Sequence, residues 1–233
     1  MVDSMALNIV RAKPSEVRQG TFFRRILWIF LLAITAAIAL AGIGGLFAGL
    51  GSQGDFEVVE QANGRIIKVP AGGNLQATID RARGGDTIEL AAGATYKGAF
   101  RLPNIPGSDF VTIRTSAPDS QLPPADTRLD PAKYQPVLPR IVSNVTGEPA
   151  ILAINGAHHF RFIGIEFGPT IDGLYNIIQL GSTDEKRVED LPHHIEFDRV
   201  YVHGSPTLGQ RRGIAANGRH IKIVNSHFSD FKR

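Results

Sequence analysis

Three groups of residues in the C-terminal part of the chain have the types and spacing to do chemistry. His203 stands shortly before the adjacent pair Arg211 and Arg212. An imidazole can accept or give a proton near neutral pH, and two neighbouring guanidiniums can neutralise a carboxylate. Together they suit removal of the proton alpha to a carboxylate, with Arg211 and Arg212 as the clamp and His203 as the proton-transfer group. An arginine pair beside a strand also serves simply to solvate a turn. Asp172, Tyr175 and Gln179 form a second group, extended by Arg187 within the charged run Asp184, Glu185, Lys186, Arg187, Glu189 and Asp190. Such side chains suit binding of a polar substrate. Calcium is the candidate cofactor there: it needs several converging oxygen ligands, which Asp172, Asp184, Glu185 and Asp190 supply only if the charged run folds back. No EF-hand spacing exists, and a solvated loop accounts for the same acids. The third group is histidine: His158 with His159, His193 with His194, and His220. Stacked imidazoles can bind a metal such as zinc. Their recurrence follows the register of the surrounding pattern, however, which marks a turn position that accepts histidine, and no metal site is assigned.

These groups can cooperate only if the elements around them bring them to one side. Ala153-Ile154-Asn155-Gly156 precedes His158, Phe160, Phe162, Ile165 and Phe167; Ala215-Ala216-Asn217-Gly218 precedes His220, Ile221, Ile223, Ser226 and Phe228. A third copy runs through His193, Ile195, Phe197, Val200 and Val202, preceded by Asn176 to Gly181. Phe160, Ile195 and Ile221 stand 35 and 26 residues apart, and the longer step holds the insert Ser182 to Asp190, so the underlying period is near 26 residues. Three strands of three to five residues per repeat, with no helix between, exclude a propeller blade and a helical solenoid. The pattern fits one coil of a parallel β-helix, in which inward side chains stack on their counterparts one turn away. Phe160, Ile195 and Ile221 would form one stack, and Phe162, Phe197 and Ile223 another. An antiparallel sandwich with coincidental similarity is the alternative. With first strands at Ala150 to Ile154, Asn176 to Leu180 and Gly213 to Ala216, the candidate residues fall in the flanking turns.

Upstream, residues 66–70 read as a strand and Asn74 to Ala82 as a short helix. Asn74 is the N-cap, Leu75, Ile79 and Ala82 share the apolar face, and Gly84 supplies a left-handed stop. Such a helix before a series of short strands can cover an open sheet end. Residues 87–90 alternate polar and apolar as a half-buried strand does. The proline-rich passage from Pro118 to Pro139 cannot be a regular element.

The 25 Lys and Arg against 22 Asp and Glu give +3, and the first 25 residues account for all of it, through Arg11, Lys13, Arg18, Arg24 and Arg25 against Asp3 and Glu16. The rest is balanced, which gives no electrostatic reason for a nucleic-acid partner. No cysteine is present, so disulfides, thiolate metal sites, a lipid-anchored cysteine and a cysteine nucleophile are excluded. Residues 26–50 carry no charge and as a helix would span roughly 37 Å, enough for a bilayer. Arg24 and Arg25 predict a cytoplasmic residue 1–25 segment, a transmembrane signal-anchor at 26–50, and export of everything after it. A cleaved signal peptide, giving a secreted protein, is the alternative. Residues 51–65 read as a linker and 66–233 as one domain. Asn144-Val145-Thr146 is a formal glycosylation sequon.

Residues 66–233 resemble the N-terminal part of the pectate-lyase-like superfamily of right-handed β-helix proteins. The stretches Val69-Pro-Ala-Gly-Gly-Asn-Leu-Gln-Ala-Thr-Ile79, Gly84-Gly-Asp-Thr-Ile-Glu-Leu90 and Gly93-Ala-Thr-Tyr96 are similar to the capping helix and first strands of bacterial members, including alginate and chondroitin lyases, and Ala150 to Phe167 to their early coils. The resemblance implies an all-β fold, a right-handed parallel β-helix with a short capping helix, in an extracytoplasmic setting. It also implies a groove along the first strand of each coil, with catalytic residues on middle coils. Polysaccharide is the partner so implied, and the chain is expected to be a lyase or hydrolase of an acidic glycan, or else a non-catalytic glycan-binding or adhesion module. Asn225 falls where these folds stack asparagines, but Arg199 and Gly164 hold the equivalent places, so no ladder is expected. The chain breaks off within a coil, which leads to the expectation of a fragment or of an end covered by another chain.

Overall fold

The computed structural model describes residues 56–62, 64–169, 171, 176–207 and 209–232. The apolar run 26–50 lies outside them; among the described residues no helix is long and apolar enough to cross a membrane.

Among the described residues sixteen strands are formed: β1 Glu57–Gln61, β2 Gly64–Val69, β3 Thr87–Leu90, β4 Thr95–Lys97, β5 Phe100–Leu102, β6 Val111–Thr115, β7 Arg140–Val142, β8 Ile151–Ala153, β9 His158–Ile163, β10 Glu166–Phe167, β11 Asn176–Leu180, β12 His193–Asp198, β13 Tyr201–His203, β14 Arg212–Ala216, β15 Arg219–Val224 and β16 His227–Ser229. They make three sheets, ordered β1-β2-β3-β6-β9-β12-β15, β16-β13-β10-β7-β4 and β14-β11-β8-β5. From β3 onward the chain visits the first, second and third sheet in strict rotation, and each strand pairs in parallel with the one a full circuit away. The chain is therefore mostly β, with parallel sheets and few helices. β1 is the exception, pairing antiparallel with β2. It falls in the segment expected as a linker, where Glu57-Val-Val-Glu-Gln61 supplies β-branched residues beside an otherwise unpaired edge.

Register is set by what points inward. Phe160 pairs with Ile195, and Ile195 with Ile221; Phe162 pairs with Phe197, and Phe197 with Ile223. Both expected rows are thus in register, with Phe160, Ile195, Phe162 and Phe197 fully buried, Ile221 partly buried and Ile223 exposed. The Phe162 and Phe197 rings stack at 5.1 Å with planes 8° apart. The second sheet contributes Ile141, Phe167 and Val202 in one row, all buried. Burying a side chain of this size stabilises by about 1.5–3 kcal/mol.

The helix Leu75–Arg81 packs its apolar face into the main core. Asn74 Oδ1 accepts from the Ala77 N–H at 3.0 Å, and Leu75, Ile79 and Ala82 are buried. The left-handed residue after it is Gly85 (φ 93), not Gly84. Gly84 is instead pressed against Asp109, where a Cβ would come within 3.0 Å of its backbone. The proline-rich passage makes a short helix, Pro131–Tyr134, and two 3₁₀ turns around a small core of Leu122, Leu129 and Leu138. That core packs on Ile163 and Tyr201, residues of the first and second sheets.

The bend after β9, β12 and β15 repeats in conformation even where the residue type changes: Gly164, Arg199 and Asn225 all have φ between 51° and 62°. No asparagine ladder is needed to hold it. Arg199 bonds Asp198 and the Pro123 carbonyl, and Asn225 bonds the Ala125 carbonyl.

Candidate functional site

The second sheet places a polar group on the side opposite its apolar row. Because successive strand residues face opposite ways, Glu166 lies on the outer side when Phe167 lies inside. Its register partners are Arg140 on one neighbour and Tyr201 on the other. Glu166 is nonetheless only 3% exposed, since the proline-rich excursion covers it from above. Glu166 Oε1 lies 2.9 Å from His203 Nε2 and 3.1 Å from Arg140 Nε, while Oε2 accepts from Gln135 Nε2 at 3.2 Å. Burial opposes ionisation of Glu166, but the bonds from His203 and Gln135 and the Arg140 charge outweigh it and hold its carboxyl below the usual glutamate range. His203 Nδ1 faces the Gly204 carbonyl at 3.0 Å, and the Tyr201 ring stacks on the imidazole at 4.4 Å. Both nitrogens of His203 are engaged. Arg140 keeps 39% of its side chain exposed and so remains reachable by a ligand anion.

The other residues singled out in the sequence distribute between two corners. His203 ends β13, and Arg211 and Arg212 stand where β14 begins, so the three bracket one connection from the second sheet to the third. Arg211 and Arg212 are exposed. Asp172 and Tyr175 belong to the equivalent connection of the previous circuit, between β10 and β11, and lie outside the described residues. Gln179 is on β11, paired in register with Ala215 and Leu152, and its amide donates to the Gly181 carbonyl. Arg187 is on the other side of that strand, in the connection from the third sheet to the first. There it is exposed and held by Asp190 (2.7 Å) and Glu189 (3.4 Å).

The charged run does not gather calcium ligands among the described residues. Glu185 turns back to accept from the Ser182 N–H and hydroxyl, Asp190 is committed to Arg187, and Asp184 is exposed. Ligand atoms converge instead on histidine: those of His158, His159 and His193 all lie within 4.8 Å of one another. His158 stacks on His193 at 4.7 Å, and His159 on His194 and His194 on His220 at 4.6 Å. Burial and then the neighbouring histidines, joined by Arg219 at His193 and His194, lower all four of His158, His159, His193 and His194, with His193 brought to about 4.

Glu166, Arg140, Gln135 and Tyr201 were missed in the sequence. Glu166 sits within the apolar stretch Phe160 to Phe167 and reads as a spacer between Ile165 and Phe167. The available signal was an acid on a run otherwise shaped for burial, which requires a cationic partner.

No family model matches the chain, and no curated protein matches it. Among solved structures, the crystal structure of an alginate lyase from Paenibacillus sp. strain FPU-7 is similar at 14% identity and a TM-score of 0.40, over 68% of this chain and 57% of that one. The chain thus spans little more than half of that enzyme's length.

Proposed function

We propose that the three-sheet rotation is a right-handed parallel β-helix, exported and tethered through residues 26–50, and that it acts on an acidic polysaccharide as a lyase. The supporting observation is the bracketing of one connection by His203 at one end and Arg211 and Arg212 at the other, beside Arg140 and Glu166. In this reading the arginines neutralise a uronate carboxylate and stabilise the charge that develops as its alpha proton leaves. His203 takes that proton; the electron pair becomes the new double bond as the glycosidic C–O bond breaks, and the departing oxygen takes a proton from solvent water, to which His203 later returns its own. Glu166 orients the imidazole. Since both nitrogens of His203 are engaged, the ring must release Gly204 or Glu166 to reach substrate. Gln179 and Arg187, with Asp172 and Tyr175, would hold neighbouring sugars. Hydrolysis needs two carboxyls flanking the scissile bond, and Glu166 is already bound to three partners, which favours elimination.

The buried tie between Glu166 and His203 also favours a second reading, a glycan-binding module in which that pair is purely structural. One experiment separates them. The purified full-length chain, incubated with a panel of uronate glycans with and without calcium, should produce the ultraviolet absorbance of an unsaturated product. Replacing Arg211 and Arg212 together by Ala should lower kcat/KM on the order of a hundredfold. Silence across the panel overturns the lyase, and retardation in glycan-containing gels without product identifies the module.

A further inference from the structure

We propose that His158, His159 and His193 bind a divalent transition metal, zinc being the best match, at the corner where the chain passes from the third sheet to the first. This site is separate from the connection bracketed by His203 and Arg211.

The stacking of the rings alone requires only the spacing of parallel strands, about 4.8 Å. It says nothing about where nitrogens point. Two further features do. Consecutive residues of a strand normally face opposite sides, yet His158 and His159 bring their Nδ1 atoms to 2.7 Å, and His193 and His194 do the same at 2.7 Å. The cause is a left-handed backbone at the second histidine of each pair, φ 56 at His159 and φ 50 at His194, a conformation that few non-glycine residues adopt and in which asparagine, aspartate and histidine are enriched. It turns adjacent side chains to one side twice, in register. Each pair shares one N–H between two Nδ1 atoms, so one of the two already presents a lone pair into the gap. A metal takes both lone pairs once the shared proton moves to the far nitrogen of its own ring, so no proton need leave the protein.

His193 lies directly above His158 in the register and offers the third ligand. The longest separation among the three ligand atoms, 4.8 Å, exceeds the roughly 3.3 Å between nitrogens around a tetrahedral ion with bonds near 2.0–2.1 Å. Binding therefore draws His193 toward the lower pair by rotation of its ring. Three imidazoles without a carboxylate favour zinc, copper, nickel or cobalt over calcium or magnesium. The fourth position is left to water or a small ligand, as in open zinc sites. Phe110, edge-on to His159 at 5.1 Å, walls one side.

The test is titration of the untagged full-length chain with Co²⁺ alone, read by the visible absorption of a tetrahedral ion. One equivalent per chain is expected. His158→Ala, His159→Ala and His193→Ala should each weaken binding at least about tenfold, and His227→Ala, on the second sheet, should leave it unchanged. A readout without variants uses Zn²⁺ and the wild-type chain: the ion should protect His158, His159 and His193 from carbethoxylation, mapped by peptide mass, and leave His227 reactive. The proposal is overturned by lack of saturable Co²⁺ binding, by binding that persists in the His193→Ala chain, or by the same carbethoxylation with and without zinc.

Discussion

Glu166 holds the Arg140 guanidinium and the His203 imidazole in a place water barely reaches. Replacing it by Gln keeps the volume but leaves Arg140 and His203 without the charge that faces them. Loss of one member of a buried ion pair costs about 3–5 kcal/mol; because Arg140 is partly exposed, about 2 kcal/mol is expected here, measurable as a lower urea midpoint. Asp86 is the second buried carboxylate of this kind. Burial opposes its ionisation, yet it accepts bonds from the Arg65 side chain and from the Arg83 and Arg65 N–H groups, and its pKa is lowered. Both carboxyls are thus easier to protonate in the unfolded chain than in the folded one. Their contribution is complete at pH values above the ordinary carboxylate range, about 4, and is lost as pH falls below it through the folded values. Urea midpoints should already fall between pH 7 and 5, where the unfolded chain protonates the four lowered histidines before the folded one does, and fall further toward pH 3 as the carboxyls are protonated; Glu166→Gln should flatten part of the second fall only.

At the scale of elements, the apolar rows do most of the work of register. Phe162→Ala or Phe197→Ala should each cost about 3–5 kcal/mol. Their rings stack, so a double-mutant cycle should return a coupling of about 0.5–1.5 kcal/mol. A coupling near zero would mean that the two rings stabilise the fold independently. These rows were also the legible part of the fold. The spacing of Phe160, Ile195 and Ile221 follows from a period that the packing itself imposes, and the Asn74 cap follows from its own side-chain chemistry. What stayed hidden depends on distant segments. β1 is decided by the free edge of β2, the placement of Gly85 over Gly84 by the approach of Asp109, and the burial of Glu166 by an excursion that begins at Pro118, 48 residues earlier in the sequence. Of the candidate site, His203 and the arginine pair were visible as chemistry, but their common connection depended on knowing which strands share a sheet. The histidine recurrence was visible too; the direction of its nitrogens rests on a left-handed backbone that residue type does not announce.

For the molecule as a whole, each circuit is supported by its neighbours on both sides, so protection should be greatest where both neighbours are present and the row is fully buried. Amide exchange should be slowest in β9 and β12, whose inward residues Phe160, Phe162, Ile195 and Phe197 are all fully buried. It should be faster in β1, whose residues are all exposed, and in β15, which is only partly covered.

The rotation through three sheets has one more consequence. Two circuits differ in length by the Ser182 to Asp190 segment, yet β9, β12 and β15 keep their pairing without a slip. Corner length is therefore decoupled from wall alignment, and foreign sequence can be spliced at a corner without moving the wall. A short glycine-serine stretch placed between Asp184 and Glu185 should cost only about 0.6 kcal/mol for each doubling of loop length. That makes this corner a site for displaying an epitope beside strands whose pairing stays unchanged, and an unchanged melting temperature would verify it.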